Sequence, residues 1–110
     1  MGTWTGGDIE VSIPKSIRIG GRWYELRLEP HLIVDTENRG ECYNRDGIIK
    51  VEPRIQPELR IITLIHELLH AIGAVYMGNE LFLHDPELES LSNGLYQVLT
   101  DLGIRFKWEL

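Results

Sequence analysis

A histidine pair with a glutamate between its members lies in the second half of the chain, where residues 66–70 read His-Glu-Leu-Leu-His. Positions four residues apart lie on one face of a helix, so the imidazoles of His66 and His70 can both reach one zinc ion at about 2.0–2.1 Å. Glu67 lies about 100° further round such a helix, where it can accept a proton from a zinc-bound water. This spacing predicts a zinc site with a general base beside it.

Chance alone produces this pattern rarely. In a shuffled chain of the same composition it would occur with a probability of about 0.015. The other sides of the segment are apolar, which indicates a buried helix rather than one that presents two histidines to solvent. These flanking residues are Leu64, Ile65, Leu68, Leu69 and Ile72.

A catalytic zinc site usually combines three protein ligands with one open position, so a third ligand is required. The metzincin pattern would place a third histidine where this chain has Tyr76. Three later residues remain candidates, namely His84, Glu87 and Glu89. Glu89 has a suitable place on the following helix, but it lies about 130° from the centre of that helix's leucine stripe. It can reach the zinc only if this helix contacts the histidine helix as well as the sheet.

The first half of the chain has the alternating pattern of strands. Residues 9–13 predict one strand, and residues 17–28 predict a hairpin that turns at Gly20-Gly21. Asp46-Gly47 predicts a second hairpin, whose last strand covers residues 47–52. That strand either offers a free edge to an extended peptide or, because it is almost continuously apolar, lies inside the sheet. The polar segment 35–41 is expected to be a loop.

Two helices follow the strands. The first is predicted from Glu58 to about Tyr76, with Pro57 suited to the first helical position. The second is predicted from about Glu87 to Leu102, and Pro86 can open it. Strands followed by helices indicate an α+β fold in which a small antiparallel or mixed sheet is backed by two helices. We expect a single domain over residues 1–110, with residues 1–8 as a flexible terminus.

The motif and the residues that follow it resemble the gluzincin zinc metallopeptidases. His66-Glu67-x-x-His70 is followed by Glu89-Ser90-Leu91-Ser92-Asn93, a pattern similar to the glutamate helix of that family. The order of sheet, active-site helix and glutamate helix resembles the minimal members, the minigluzincins. Segments 63–71 and 91–99 are also similar to small zincin-like proteins of tailed phages and prophages.

This resemblance implies a zincin-like minimal domain that hydrolyses peptide bonds in a peptide or protein substrate. It also implies that His66, His70 and Glu89 bind one zinc ion and that Glu67 is the general base. Asn93 stands where the family has an aspartate that orients a zinc-binding histidine. An amide can accept the same hydrogen bond, but it does not supply the negative charge.

The overall composition limits which classes of protein and which partners remain possible. With 110 residues, 43% hydrophobic and 25% charged, the chain is typical of a globular domain rather than a disordered one. The net charge of −6 and the scattered arginines argue against a nucleic-acid partner. We expect no membrane span and no secretory signal, because neither pattern is visible. With Cys42 as the one cysteine, the simplest location is the cytoplasm. The oligomeric state stays open.

Two questions of mechanism also stay open. Amide hydrolysis needs a group that stabilises the oxyanion, and the candidates are Tyr43, Tyr76, His84 and Tyr96. The rival function is a zinc-binding regulatory or protein-interaction domain with little or no catalytic activity. A fourth protein ligand, such as His84, would leave the zinc ion no open coordination position and would favour this rival.

Overall fold

The computed structural model describes residues 7–78 and 85–109, and in them two sheets pack with two long helices. The strands are β1 Ile9–Ser12, β2 Ser16–Ile19, β3 Arg22–Leu28, β4 Gly40–Tyr43, β5 Ile48–Val51 and β6 Ile104–Lys107. The helices are α1 Leu32–Thr36, α2 Pro57–Tyr76 and α3 Asp85–Asp101. This arrangement confirms the predicted α+β class.

Both predicted hairpins form around glycines with positive φ. Gly20, at φ 60°, joins β2 to the antiparallel β3, and Gly47, at φ 68°, lies between β4 and the antiparallel β5. A Cβ at position 47 would lie 2.6 Å from the main-chain oxygen of Trp23, so no side chain fits there. β3 and β5 pair in parallel, which gives a mixed sheet with the strand order β2-β3-β5-β4.

The free edge predicted for residues 47–52 is wrong, because β5 pairs with β3 on one side and with β4 on the other. The alternative interpretation of an inner strand is confirmed, and Ile49 and Val51 are fully buried. Among the described strands, β4 is the edge strand on this side of the sheet.

The helix α1 and the strand β6 were not predicted. The segment expected to be a polar loop contains the end of α1 and the start of β4. β6 follows Gly103, which ends α3 at φ 91°, and it pairs in parallel with β1 to form a two-stranded sheet. Residues 1–6 of the predicted flexible terminus lie outside the described residues, whereas the Asp8 carboxylate pairs with Arg105 at 3.2 Å.

The helix α2 packs against the four-stranded sheet and begins with Pro57 in its first turn, as predicted. Its Leu64 and Ala71 belong to the core cluster that also contains Tyr24, Ile49 and Val51. By length and composition alone this helix could also cross a membrane, a test that buried core helices pass as well. That no membrane is involved stays a prediction.

The helix α3 is rotated away from the orientation that its leucine stripe indicates. Leu91, Val98 and Leu102 are exposed, whereas Leu88 and Ser92 are buried. The buried face of α3 is therefore centred near Leu88 and Ser92. This rotation turns the neighbouring Glu89 toward α2, a position that a helical wheel of the isolated helix does not reveal.

Candidate metal centre

A cleft of about 930 Å³ lies between the edge strand β4, the polar stripe of α2 and the first turns of α3. It contains both motif histidines and the glutamate between them. The residues that line it are Glu37, Asn38, Arg39, Gly40, Glu41, Cys42, Asn44, Thr63, His66, Glu67, His70, Asp85, Pro86 and Glu89. The polar face of an otherwise apolar helix thus borders a polar cavity.

The two histidines lie on the same face of α2, as their spacing predicts. Their ring centroids are 4.9 Å apart in an edge-to-face arrangement. The side chain of His66 is 13% exposed and that of His70 is 27% exposed, so both are largely enclosed yet open to the cleft.

Asp85, in the first turn of α3, contacts both histidines and was not among the candidates from the sequence. Its Oδ1 lies 3.0 Å from His70 Nε2 and 3.7 Å from His66 Nε2. One ligand atom from each of the three residues lies within 4.8 Å of the others, so this group could hold a metal ion. One signal was present in the sequence: Asp85 and Glu89 are four residues apart, like the histidines they face.

Glu89 also points into the cleft. Its Oε2 lies 3.2 Å from His66 Nδ1, and its Oε1 accepts a hydrogen bond from Arg39 Nη2 at 3.0 Å. Glu87, two residues earlier, is exposed and is not part of the cleft lining. His84, the other candidate for the third ligand, lies outside the described residues.

The environment of His66 fits a metal ligand. Its Nδ1 is buried and has no hydrogen-bond partner among the described residues, although Glu89 Oε2 lies 3.2 Å away. Leaving such an atom unsatisfied costs about 1–3 kcal/mol. Burial, and then the neighbouring His70, lower the pKa of His66. The imidazole is thereby held in the neutral form that binds metals, with carboxylates beside it.

Glu67 has the properties of a general base. Its side chain is buried, and this burial, together with nearby carboxylates, raises its pKa to about 7. The Arg39 guanidinium acts in the opposite direction. A base is most effective when its pKa lies near the working pH. The carboxylates that raise the pKa are those of Glu41, Asp85 and Glu89.

The strand β4 approaches α2 closely enough to hold Glu67 in place. A Cβ at Gly40 would lie 2.6 Å from Thr63 Cγ2 and 3.0 Å from Glu67 Oε2. Only glycine allows this approach without a shift. Cys42, two residues along the same strand, is partly buried, and burial raises the pKa of its thiol to about 12.

None of the described tyrosines considered for oxyanion stabilisation lines the cleft. Tyr76 is 68% exposed, Tyr96 stacks on Phe106, and the ring of Tyr43 lies beneath the Lys50 ammonium group. The cation that lines the described cleft is Arg39, which was not a candidate from the sequence.

Asn93 does not take the position that the resemblance implies. Its Nδ2 donates to the main-chain oxygen of Glu89 at 2.8 Å, and the residue is exposed. No contact between Asn93 and either histidine is present in the described part of the chain. An amide four residues after a helical carbonyl is well placed for this local bond, which competes with any longer reach.

Comparison of the chain with family models, with curated proteins and with solved structures finds no match. Function is therefore inferred from the residues of the cleft.

Proposed function

We propose that the protein is a zinc-dependent metallopeptidase with a minimal zincin-like fold of the gluzincin type. In this proposal His66, His70 and Glu89 bind one zinc ion and Glu67 is the general base. The observation that carries it is a buried glutamate, with its pKa raised to about 7, beside two histidines that face the carboxylates of α3. The spacing of the motif and its resemblance to gluzincins support the same assignment.

Zinc bound at this site would polarise the scissile carbonyl and lower the pKa of a bound water toward ~7. Glu67 would accept the proton of the attacking water on its carboxylate and transfer it to the nitrogen of the leaving amine. The water oxygen would first add to the carbonyl carbon, and the carbon–nitrogen bond would then break as the protonated amine leaves. The backbone of Gly40 lies close against the Glu67 side chain at the wall of the cleft.

An extended peptide or protein segment is the substrate that best fits the cleft. β4 borders the cleft and pairs on one side with β5, and no described strand pairs with its other side. An edge strand can bind an extended chain through main-chain hydrogen bonds. Such pairing along Gly40–Tyr43 would bring a peptide bond past Glu67 and the histidines.

The first test is zinc stoichiometry after dialysis at neutral pH. We expect one zinc per chain in the wild type and a large loss in Glu89→Gln. Glu87→Gln is the matched control, since it removes a carboxylate from the same helix, and it should retain the metal. Loss of zinc in Glu87→Gln but not in Glu89→Gln would move the third ligand and contradict the gluzincin assignment.

The second test is hydrolysis of a mixture of unfolded protein substrates, followed by mass spectrometry of the products. We expect Glu67→Gln to lower the rate by about 10²–10⁴-fold, the usual contribution of a general base. Zinc should still bind, because Glu67 is not one of the proposed ligands. An unchanged rate in Glu67→Gln would refute the mechanism.

The alternative function is a zinc-binding regulatory or protein-interaction domain with little or no catalysis. The contact of Asp85 with both histidines favours it, since four protein ligands close a zinc site. A protein that binds one zinc but cleaves no substrate in the mixture would support this alternative. The cytoplasmic location and the absence of nucleic-acid and membrane partners stay predictions from the sequence.

A further inference from the structure

Asp85 is placed on α3 so that its carboxylate and that of Glu89 face the histidine pair of α2. The two acidic residues are four positions apart, as are the two histidines, so one turn of each helix lies opposite one turn of the other. The two pairs of side chains approach from opposite sides of the cleft. Asp85 Oδ1 faces the Nε2 atoms of both histidines, whereas Glu89 Oε2 lies 3.2 Å from His66 Nδ1.

The distances from Asp85 match those between ligands of a common ion. Two atoms bound at ~2.1 Å to a tetrahedral zinc lie about 3.4 Å apart. Asp85 Oδ1 lies 3.0 Å from one histidine Nε2 and 3.7 Å from the other, on either side of that value. A shared ion would be bound by Asp85 Oδ1 and by the Nε2 atoms of both histidines. All three side chains line the cleft.

Asp85 and Glu89 differ in how firmly they are held. Glu89 is 35% exposed and one of its oxygens is fixed by the Arg39 guanidinium. The side chain of Asp85 is 77% exposed, and its described hydrogen bond is to His70 Nε2. Among the described residues, moving Asp85 aside breaks only its contacts with the two histidines, whereas moving Glu89 breaks its ion pair with Arg39.

From this difference we infer that Asp85 is a fourth, displaceable ligand of the metal site, which closes its open coordination position until a substrate carbonyl or an anion replaces it. The inference rests on the proposed zinc site and describes its regulation. A site with four protein ligands is closed, and one with three is open to substrate. The resting protein would therefore be latent, and release of Asp85 would open the site.

The test loads cobalt(II) into the metal-free wild type, Asp85→Asn and Glu87→Gln, and compares their visible absorption. Glu87→Gln is the matched control because it also removes a negative charge from the first turn of α3, where it interacts with the helix dipole. We expect only Asp85→Asn to change the visible absorption band of the bound cobalt(II). Zinc affinity, measured by chelator competition, should fall by about tenfold or more in this variant, since even indirect partners of a metal are worth ~10–100-fold.

An added ligand reports the open position directly. Acetohydroxamate should bind the cobalt form of Asp85→Asn several-fold more tightly than the wild type, because it no longer has to displace a carboxylate. In Asp85→Cys a bound thiolate should add a near-ultraviolet sulfur-to-cobalt charge-transfer band. The wild type, which retains Cys42, is the baseline for that band.

Each outcome separates this inference from the proposed function. If Asp85→Asn matches Glu87→Gln in spectrum and affinity, and Asp85→Cys gains no band, then Asp85 is not a ligand and the three-ligand site stands. If the wild type binds neither zinc nor cobalt, both proposals are overturned. If the metal experiments succeed but no peptide is cleaved, only the peptidase function is overturned.

Discussion

Glu67 is held from two sides, by the helix that carries it and by the strand β4, which leaves no room for a side chain at position 40. Adding a Cβ there would bring it to 2.6 Å from Thr63 Cγ2 and to 3.0 Å from Glu67 Oε2. Contacts this short force a shift. The position of the proposed base thus depends on a glycine that does no chemistry itself.

We predict that Gly40→Ala destabilises the protein and displaces Glu67. Overpacking of a filled site typically costs about 1–3 kcal/mol. Urea unfolding should show this loss of unfolding free energy, and the rate of peptide hydrolysis should fall while zinc still binds.

Gly94→Ala is the control for this prediction. Apart from its chain neighbours and the backbone of its own helix, no described atom lies within 4 Å of a Cβ built at Gly94, which is in α3. Alanine should leave stability unchanged or raise it by up to ~1 kcal/mol through its higher helix propensity. If Gly40→Ala were as stable as Gly94→Ala, the close approach of β4 to α2 would be refuted.

At the scale of secondary-structure elements, the buried Glu52 connects the end of β5 to α1. Its Oε1 accepts a hydrogen bond from the Ile33 main-chain N–H at 3.1 Å, and its Oε2 accepts one from the Arg54 main-chain N–H at 3.1 Å. Burial alone would raise the pKa of Glu52, but these bonds and the Arg54 side chain outweigh it and lower the pKa. The short helix α1 is therefore attached through a charged acceptor.

We predict that Glu52→Gln lowers the unfolding free energy at pH 7 by about 1.5–3 kcal/mol, the usual value of a bond to a charged group. Because the folded pKa is below the unfolded one, the stabilisation is present above the ordinary carboxyl pKa of about 4.3 and is lost as the pH falls through the folded pKa. Urea unfolding at pH 7 and at pH 3 should therefore show a smaller difference between variant and wild type at the lower pH.

Glu10→Gln is the matched control, since Glu10 is an exposed glutamate on β1. Exposed substitutions of this kind usually change stability by less than about 0.5 kcal/mol. A loss in Glu52→Gln that is the same at both pH values would argue against a role for its charge.

At the scale of the whole molecule, the proposed site joins two long helices that are consecutive in the chain. His66 and His70 belong to α2, whereas Asp85 and Glu89 belong to α3. A metal held by both helices binds only when they are docked. Metal binding should therefore be coupled to the stability of the fold.

We predict that zinc raises the thermal unfolding midpoint. At a free concentration of 100 times the dissociation constant, a ligand of the folded state alone adds about 2.7 kcal/mol. For a domain near this size each kcal/mol corresponds to roughly 4–8 °C. Calorimetry with zinc and with a chelator should show the shift in the wild type and not in His70→Ala. Equal midpoints in the wild type would contradict a site that spans both helices.

Local features of the sequence determined the elements. The hairpins turn at Gly20 and near Gly47, α2 begins at Pro57, and the histidine pair lies on one helix face, all as predicted. Each of these depends on residues within a few positions of one another, so propensity, turn geometry and helical periodicity are sufficient to predict it.

The tertiary structure alone decided how these elements meet. The rotation of α3 turned Glu89 toward His66, and brought in Arg39, which is 50 positions away from Glu89. The pairing of β1 with β6 likewise joins the two ends of the described chain. Such contacts depend on which faces give the best packing across the whole molecule, and no local pattern contains that information. The sequence therefore determined which residues of α2 are proposed to do chemistry, and the packing of α3 and β4 determined which groups surround them.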